Sequence, residues 1–212
     1  MKVSFVGAAN ERNKKPQLTA ETVMVMPYTQ PDLARRAATL LASRSGVKDG
    51  VLLAIEDTDH EGFIAVVNRA FEATESTYFG YVAQDAFPGR QWLALAVEAL
   101  RQRGKHLFAF NDGKWMGALA GFGLATRAWA ADNYDGALFY PGYQRHYADC
   151  ELTVLALAEQ AFGYNANSVL VEVDWEKDKK GVNTADRNLY LDRAQTGFGG
   201  RVIAPELIRM FS

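Results

Sequence analysis

The chain has 212 residues, 49% of them hydrophobic and 23% charged, which is the length of one large domain and excludes a disordered or fibrous chain. Its one cysteine, Cys150, excludes an internal disulfide framework and a thiolate-rich zinc site. A formal charge of −2 exerts no global pull on nucleic acid or anionic lipid.

The first residues turn polar by Asn10, too early for a signal peptide's apolar stretch. No run approaches the ~18 apolar residues of a spanning helix, so a cytoplasmic location is expected. After a polar lead-in over 10–16, the run Val23-Met24-Val25-Met26 predicts a strand buried on both faces. Pro31-Asp32 opens a helix whose apolar face holds Leu33, Ala37, Leu40 and Leu41, closed by Gly46 and Gly50. Residues 51–55 repeat the buried-strand pattern. Ile64, Val67 and Phe71 give a second helix, 78–82 a third strand, and Trp92, Leu95, Ala96 and Leu100 a third helix. This alternation predicts βαβ crossovers and a mostly parallel central sheet flanked by helices.

The second half is less regular. Residues 106–110 read as a strand, and 118–126 as a glycine-rich strand that a backbone or ligand approaches closely. Residues 132–147 suit a functional loop. Leu152, Leu155, Ala158 and Phe162 mark a helix, 168–173 a last strand, and 175–183 a solvated charged loop. One domain is expected, with residues 20–105 and 106–212 as its halves.

In an open parallel sheet, ligands bind beyond the carboxyl ends of the strands. Pro27-Tyr28 follows the first strand here, Glu56-Asp57-Thr58-Asp59 the second, and Gln84-Asp85 the third. Carboxylates gathered on one rim repel unless a cation or proton lies among them, and Mg²⁺ or Mn²⁺ is the usual occupant. The alternative is that Asp57 and its neighbours make a turn and cap the next helix. The chain has no G-x-G-x-x-G after the first strand, no phosphate-binding P-loop and no G-x-S-x-G elbow.

The succession Pro27-Tyr28, Glu56-Asp57-Thr58-Asp59 and Asn68 resembles the nucleotide-binding half of GT-A-type glycosyltransferases, in particular the large inverting family 2-like group that uses nucleotide-diphospho-sugars. Tyr81-Val82-Ala83-Gln84-Asp85 is similar to that family's D-x-D segment with only the last Asp kept; Ala83 stands where the first would be. Tyr143-Gln144-Arg145-His146-Tyr147-Ala148-Asp149-Cys150-Glu151-Leu152 resembles the acceptor-side motif leading into D-x-E-L at a helix start. The resemblance runs in order over residues 23–173. It implies a Rossmann-like GT-A single domain, with Pro27, Tyr28, Asp57, Asp59, Asn68 and Gln84 holding the nucleotide-sugar. It also implies Mn²⁺ or Mg²⁺ at Asp85. Members often place a histidine after the last strand as a further ligand, and here His146 or Asp174 would replace it.

Sugar transfer needs a cation to neutralise the departing diphosphate and a general base within about 3 Å of the acceptor hydroxyl. Asp149 is the candidate base and Glu151 the substitute. The competing reading makes Asp149 an N-cap and leaves Glu151 to complement the helix dipole. Lys177, Lys179 and Lys180 suggest a lid over the diphosphate or a plain solvated loop. Trp115, Trp129, Tyr134, Phe139, Tyr140 and Tyr143 flank the acceptor side, as sugar-covering aromatics or as core. The expected activity is metal-assisted, inverting transfer to a hydroxyl acceptor, whether glycan, protein or nucleic acid. Part of the acceptor cover is open to a second subunit of a homo-oligomer. The alternatives are an inactive sugar-nucleotide-binding or scaffold protein of the same fold, and a nucleotidyltransferase.

Overall fold

The strand–helix alternation is present in the computed structural model, which describes residues 1–7, 18–102, 104–173 and 181–212. In chain order the elements begin β1 (Lys2–Val6), β2 (Leu18–Tyr28), α1 (Pro31–Arg44), β3 (Gly50–Glu56) and α2 (Phe63–Ala73). Then come β4 (Thr74–Tyr81), β5 (Ala86–Pro88), α3 (Trp92–Leu100), β6 (Leu107–Asn111) and β7 (Gly123–Thr126). The chain finishes with α4 (Arg127–Ala131), α5 (Ala148–Ala158), β8 (Phe162–Glu172), α6 (Thr184–Gln195) and α7 (Pro205–Ile208).

The strands form one sheet in the order β1-β3-β2-β4-β7-β6-β8-β5. The first four in that order are mutually parallel. Strand β7 runs antiparallel to both β4 and β6, so β6 points the same way as the first four. Strand β8 follows β6, and β5 opposes β8. The carboxyl ends of β2, β3, β4, β6 and β8 therefore share one edge. This is a mixed α/β fold with a mostly parallel sheet, as the sequence predicts.

The apolar runs are continuous because both faces of the sheet are covered. Val23, Val25, Leu53 and Ile55 face a layer holding α2 and α5, with Ile64, Val67, Phe71, Leu152 and Leu155. Their neighbours Met24, Met26, Leu52 and Ala54 face the opposite layer, with Ala37 and Leu41 of α1 and Trp92 and Leu93 of α3. Successive strand residues thus serve two cores, each fully buried aliphatic side chain contributing roughly 1.5–3 kcal/mol. Trp92 adds a hydrogen bond from its ring nitrogen to the Leu41 carbonyl, which ties α3 to α1.

Several predicted boundaries differ. Strands β1 and β5 and everything after Thr184 lie outside the predicted elements; β1 is an edge strand with Val3 and Phe5 exposed, so it lacks a buried run. The glycine-rich strand is only Gly123–Thr126. The Leu152 helix ends at Ala158, and Phe162 instead begins β8. Gln160 adopts a left-handed φ of 56° there, while its N–H donates to Leu157 and that of Ala161 donates to Ala156. This is a Schellman stop with glutamine where glycine is usual, so the sequence carries no stop signal. The lead-in over 10–16 and most of the charged loop, including Lys177, Lys179 and Lys180, lie outside the described residues.

Candidate active site

Parallel pairing puts Tyr28 opposite Glu56 and Val25 opposite Tyr81, so the loops after β3, β2 and β4 leave the sheet side by side. Asp57 and Gln84-Asp85 flank the end of β2, two strand spacings or about 10 Å apart along the rim. The Asp57 N–H donates to the Tyr28 carbonyl at 2.8 Å. Tyr28 is buried with its ring edge-to-face on Phe5, and its hydroxyl pKa is raised by burial and by Glu56.

Several residues assigned to the nucleotide-sugar have other partners. Asp57 accepts from the N–H of Glu61 at 2.8 Å and of Gly62 at 2.9 Å, so both its oxygens brace the loop before α2. That is the turn reading. Asp59 lies exposed on the same loop. The Gln84 Oε1 accepts from the backbone N–H of Thr29 and of Gln30, each at 3.0 Å, which fixes the loop between β2 and α1. The Asn68 side chain pairs with the backbone of Phe139, donating to its carbonyl and accepting from its N–H, both at 2.9 Å. Asn68 therefore joins residues from the two halves of the chain and not the rim, while Gln84 and Asp57 fix the backbone of the rim loops.

Asp85 is buried, at 5% exposure, between β4 and β5 at the rim. His146 is exposed and its Nδ1 accepts from the Asn183 N–H at 3.2 Å. Asp174 lies outside the described residues. Among the described residues, no three His, Cys, Asp or Glu side chains gather as a metal-holding group. The fit to a divalent cation is therefore that of one hard carboxylate, Asp85, needing substrate phosphate oxygens to complete the shell.

In the second half of the chain, α5 starts at Ala148 behind a left-handed Tyr147, which is its N-cap residue and offers no side-chain cap. Asp149 thus sits inside the first turn and not at the cap. Its Oδ1 accepts the neighbouring Cys150 N–H at 3.0 Å. Its Oδ2 points to Gly121: a methyl group there would lie 3.9 Å from that oxygen, 3.9 Å from the Asp112 Oδ2, and near nothing else. Burial pushes the Asp149 carboxyl up to about 6, partly offset by its backbone hydrogen bond to Cys150. Beside it, Tyr81 donates to the Ala120 carbonyl at 2.5 Å, and burial with the Asp149 charge keeps its hydroxyl neutral. A partly desolvated carboxylate with one oxygen facing open space can take a proton from a bound hydroxyl.

Glu151 is a different group. At 0% exposure it accepts from the hydroxyls of Tyr134 and Tyr143, both at 2.8 Å. Arg193 meets it in a fork, Nε at 2.7 Å and Nη2 at 2.6 Å. Four donors saturate both oxygens, so Glu151 anchors α5 to α6 and the preceding loop, and it has no lone pair left for an acceptor. Of the six aromatic residues, Phe139 and Tyr143 are buried, Trp129 donates to Glu159, and Trp115 is exposed at 42%.

Two residues with a bearing on the site, Asp186 and Arg193, carried no recognisable role in the sequence. Asp112, whose segment Asn111-Asp112-Gly113 is among those that resemble the GT-A group, is buried, and its Oδ1 gathers the N–H groups of Lys114, Trp115 and Met116. Asp186 accepts from the N–H groups of Gln144, Arg145 and His146, each at 2.9 Å, and so holds the loop leading to Asp149. Arg193 is sequence-distant from everything it braces. No sequence spacing could reveal either contact.

A carboxylate-lined rim at the ends of a mostly parallel sheet, with an acidic helix start facing it, is the arrangement of the GT-A fold, and the chain has that glycosyltransferase fold. Glucosyl-3-phosphoglycerate synthase from Mycobacterium tuberculosis, solved with Mg²⁺ and UDP, matches 87% of this chain over 81% of its own, with TM-score 0.56 and 12% identity. The mannosyltransferase PcManGT from Pyrobaculum calidifontis, solved with GDP-Man and Mn²⁺, matches 85% of this chain over 62% of its own, with TM-score 0.55 and 15% identity. TarS residues 1–349 from S. aureus match 85% of this chain over 71% of that fragment, with TM-score 0.54 and 12% identity. No family model matches the sequence. No curated protein matches it either. Among the described residues, no helix is long and apolar enough to cross a membrane.

Proposed function

We propose that this chain transfers a sugar from a nucleoside-diphosphate sugar to a hydroxyl acceptor, with inversion, and that Asp149 is the general base. The observation that carries the reading is Asp149 itself: a carboxyl pushed up to about 6, with one oxygen spent on the backbone and the other facing the gap above Gly121. The nucleotide lies across the ends of β2 and β3, where Tyr28 and the loops braced by Gln84 and Asp57 form its cradle. Asp85 is the residue that would hold Mg²⁺ or Mn²⁺, with diphosphate oxygens completing the ligand set. When bound, that cation offsets the negative charge of the leaving diphosphate. Asp149 orients the acceptor hydroxyl and receives its proton as the hydroxyl oxygen attacks the sugar carbon from the face opposite the diphosphate. Glu151, Asp186 and Arg193 keep the Asp149 helix in place and touch neither substrate.

The test is titration calorimetry and nucleoside-diphosphate release with a panel of UDP- and GDP-sugars and Mn²⁺. The expected result is metal-dependent binding of at least one donor. Asp149→Asn should lose turnover by 10²-fold or more, the scale of general-base catalysis, while donor affinity stays within a factor of two. Binding of no donor would overturn the reading. Donor binding with no product release in either form would favour a sugar-nucleotide-binding protein, equal release in both forms would overturn Asp149 as the base, and pyrophosphate as product would mark a nucleotidyltransferase.

A further inference from the structure

Asp112 follows directly on β6 and is 9% exposed. The hydrogen bonds it receives from described residues all fall on one oxygen. Oδ1 accepts from the N–H groups of Lys114 at 2.9 Å, Trp115 at 2.7 Å and Met116 at 3.3 Å, while Oδ2 accepts from none. An asparagine would brace this turn equally well, since its side-chain oxygen can accept the same bonds. The second carboxylate oxygen is thus not needed by the turn. An acceptor held in so buried a side chain costs stability until a ligand or water brings it a donor.

That oxygen faces the same gap as Asp149. A Cβ on Gly121 would lie 3.9 Å from the Asp112 Oδ2 and 3.9 Å from the Asp149 Oδ2, so the two oxygens are at most twice that distance apart. Outside the residues adjoining Gly121, no other heavy atom comes within 4 Å of that point. Both walls are fixed. The Thr153 Oγ1 accepts from the Ala120 N–H at 3.1 Å and donates to the Asp149 carbonyl at 2.7 Å, which ties the Gly121 segment to the first turn of α5. On the other side the Phe110 N–H donates to the Phe122 carbonyl at 3.2 Å, which ties the same segment to β6 just before Asp112. The placing of the two carboxylates is therefore set by the backbone.

Carboxylate oxygens accept, so a ligand that satisfies both must bring at least two donors. The proposed transfer gives one of these, the reacting hydroxyl, to Asp149. We infer that Asp112 determines acceptor specificity: its Oδ2 accepts from a second hydroxyl, or an amine, on the carbon next to the one bearing the reacting hydroxyl. With hydrogen bonds of about 2.7 Å at either end, neighbouring hydroxyls of a sugar or polyol reach both oxygens. A lone alcohol such as a serine side chain brings one donor and leaves Asp112 unmet. A phosphate or carboxylate in the neighbouring place brings charge of the wrong sign. This inference rests on the transfer reading and names the acceptor class of that same site.

Its test is nucleoside-diphosphate release by the full chain, with Mn²⁺ and the donor found by calorimetry. The acceptor probes are methyl glucoside, mannoside, galactoside and xyloside, with the monodeoxy forms of those that react. At least one glycoside should raise release above the rate with water alone. Removing the reacting hydroxyl should abolish that rise. Removing a hydroxyl beside it should lower kcat/KM at least tenfold, the scale of a hydrogen bond to a charged group. Asp112→Asn keeps the acceptor for the turn and should raise the acceptor KM about tenfold with kcat within a factor of three, as for a contact made alike before and during reaction. It should also shrink the preference for the intact glycoside over that deoxy form by the same factor, which a merely structural role would not do. If Asp112→Asn fails to fold, the deoxy series on the unaltered chain decides. The inference is overturned if no glycoside raises release, if no hydroxyl beside the reacting one matters, or if folded Asp112→Asn keeps the acceptor KM within a factor of two. Should no donor bind, the transfer reading falls and this inference with it; should a donor bind and turn over while any of those three results appears, this inference falls alone.

Discussion

Asp149→Asn should stabilise the protein at neutral pH even as it removes activity. The carboxyl rises from the ordinary 3.8 to about 6 because its charged form is buried. Between about pH 4 and 6 the native state keeps a proton that the unfolded chain has released, so stability falls as pH rises through that window. Above it the ionised carboxylate costs about 3 kcal/mol, at 1.36 kcal/mol per pKa unit. Asparagine keeps the acceptor for the Cys150 N–H and carries no charge to bury. Urea unfolding of both forms at steps from pH 4 to 8 measures the difference. The variant should be more stable by up to about 3 kcal/mol at pH 7.5, with the gap closing toward pH 4. A gap that is absent at pH 7.5, or that widens in acid, would refute the assignment of a buried, raised carboxyl. The same group predicts that turnover climbs as pH rises through about 6 and then levels.

Other substitutions separate framework from chemistry. Glu151→Ala leaves Arg193 and two tyrosine hydroxyls without their acceptor, and should cost about 3–5 kcal/mol in urea unfolding; a loss below 1 kcal/mol would contradict the four-donor anchor. Gln84→Ala removes the acceptor for two loop N–H groups and should speed hydrogen exchange at Thr29 and Gln30, raising KM for the donor with little change in kcat. Gly80→Ala would push a methyl to 2.5 Å from the Met24 Sδ and 2.7 Å from the Gly123 carbonyl oxygen, costing about 1–3 kcal/mol by overpacking. Burial raises the Cys150 thiol well above its ordinary range, so an aromatic disulfide reagent should label it only after unfolding.

The first half of the chain was legible because its signals are local. Continuous apolar runs, Pro31 at a helix start and Gly46 past a helix end each act within a few residues, and the parallel sheet follows from their alternation. The position of Asp149 in the first turn of a helix was legible for the same reason, since it is an acidic residue just after a loop. What escaped the sequence depends on distant pairing. Asn68 reads as a substrate contact until Phe139, 71 residues away, is seen bonded to it. Glu151 reads as an acid or base until Arg193 and two tyrosines close around it. Helix α6 has little apolar contrast between its faces, so periodicity could not announce it, although Tyr190 and Ala194 are buried. Edge strand β1 is hidden in the same way, since one neighbour and an exposed face demand no buried run.

The hollow between the two aspartate oxygens exists because position 121 lacks a side chain, not because any group holds it open. At 3.9 Å from each oxygen, an alanine methyl would rest in ordinary van der Waals contact and leave the framework undisturbed. If the proposed transfer runs through Asp149, a lone carbon at position 121 divides heritable foldedness from catalysis, yielding a chain that melts like its parent while the gap is plugged. Sequences drifting at that site would look healthy by every structural measure and be chemically silent.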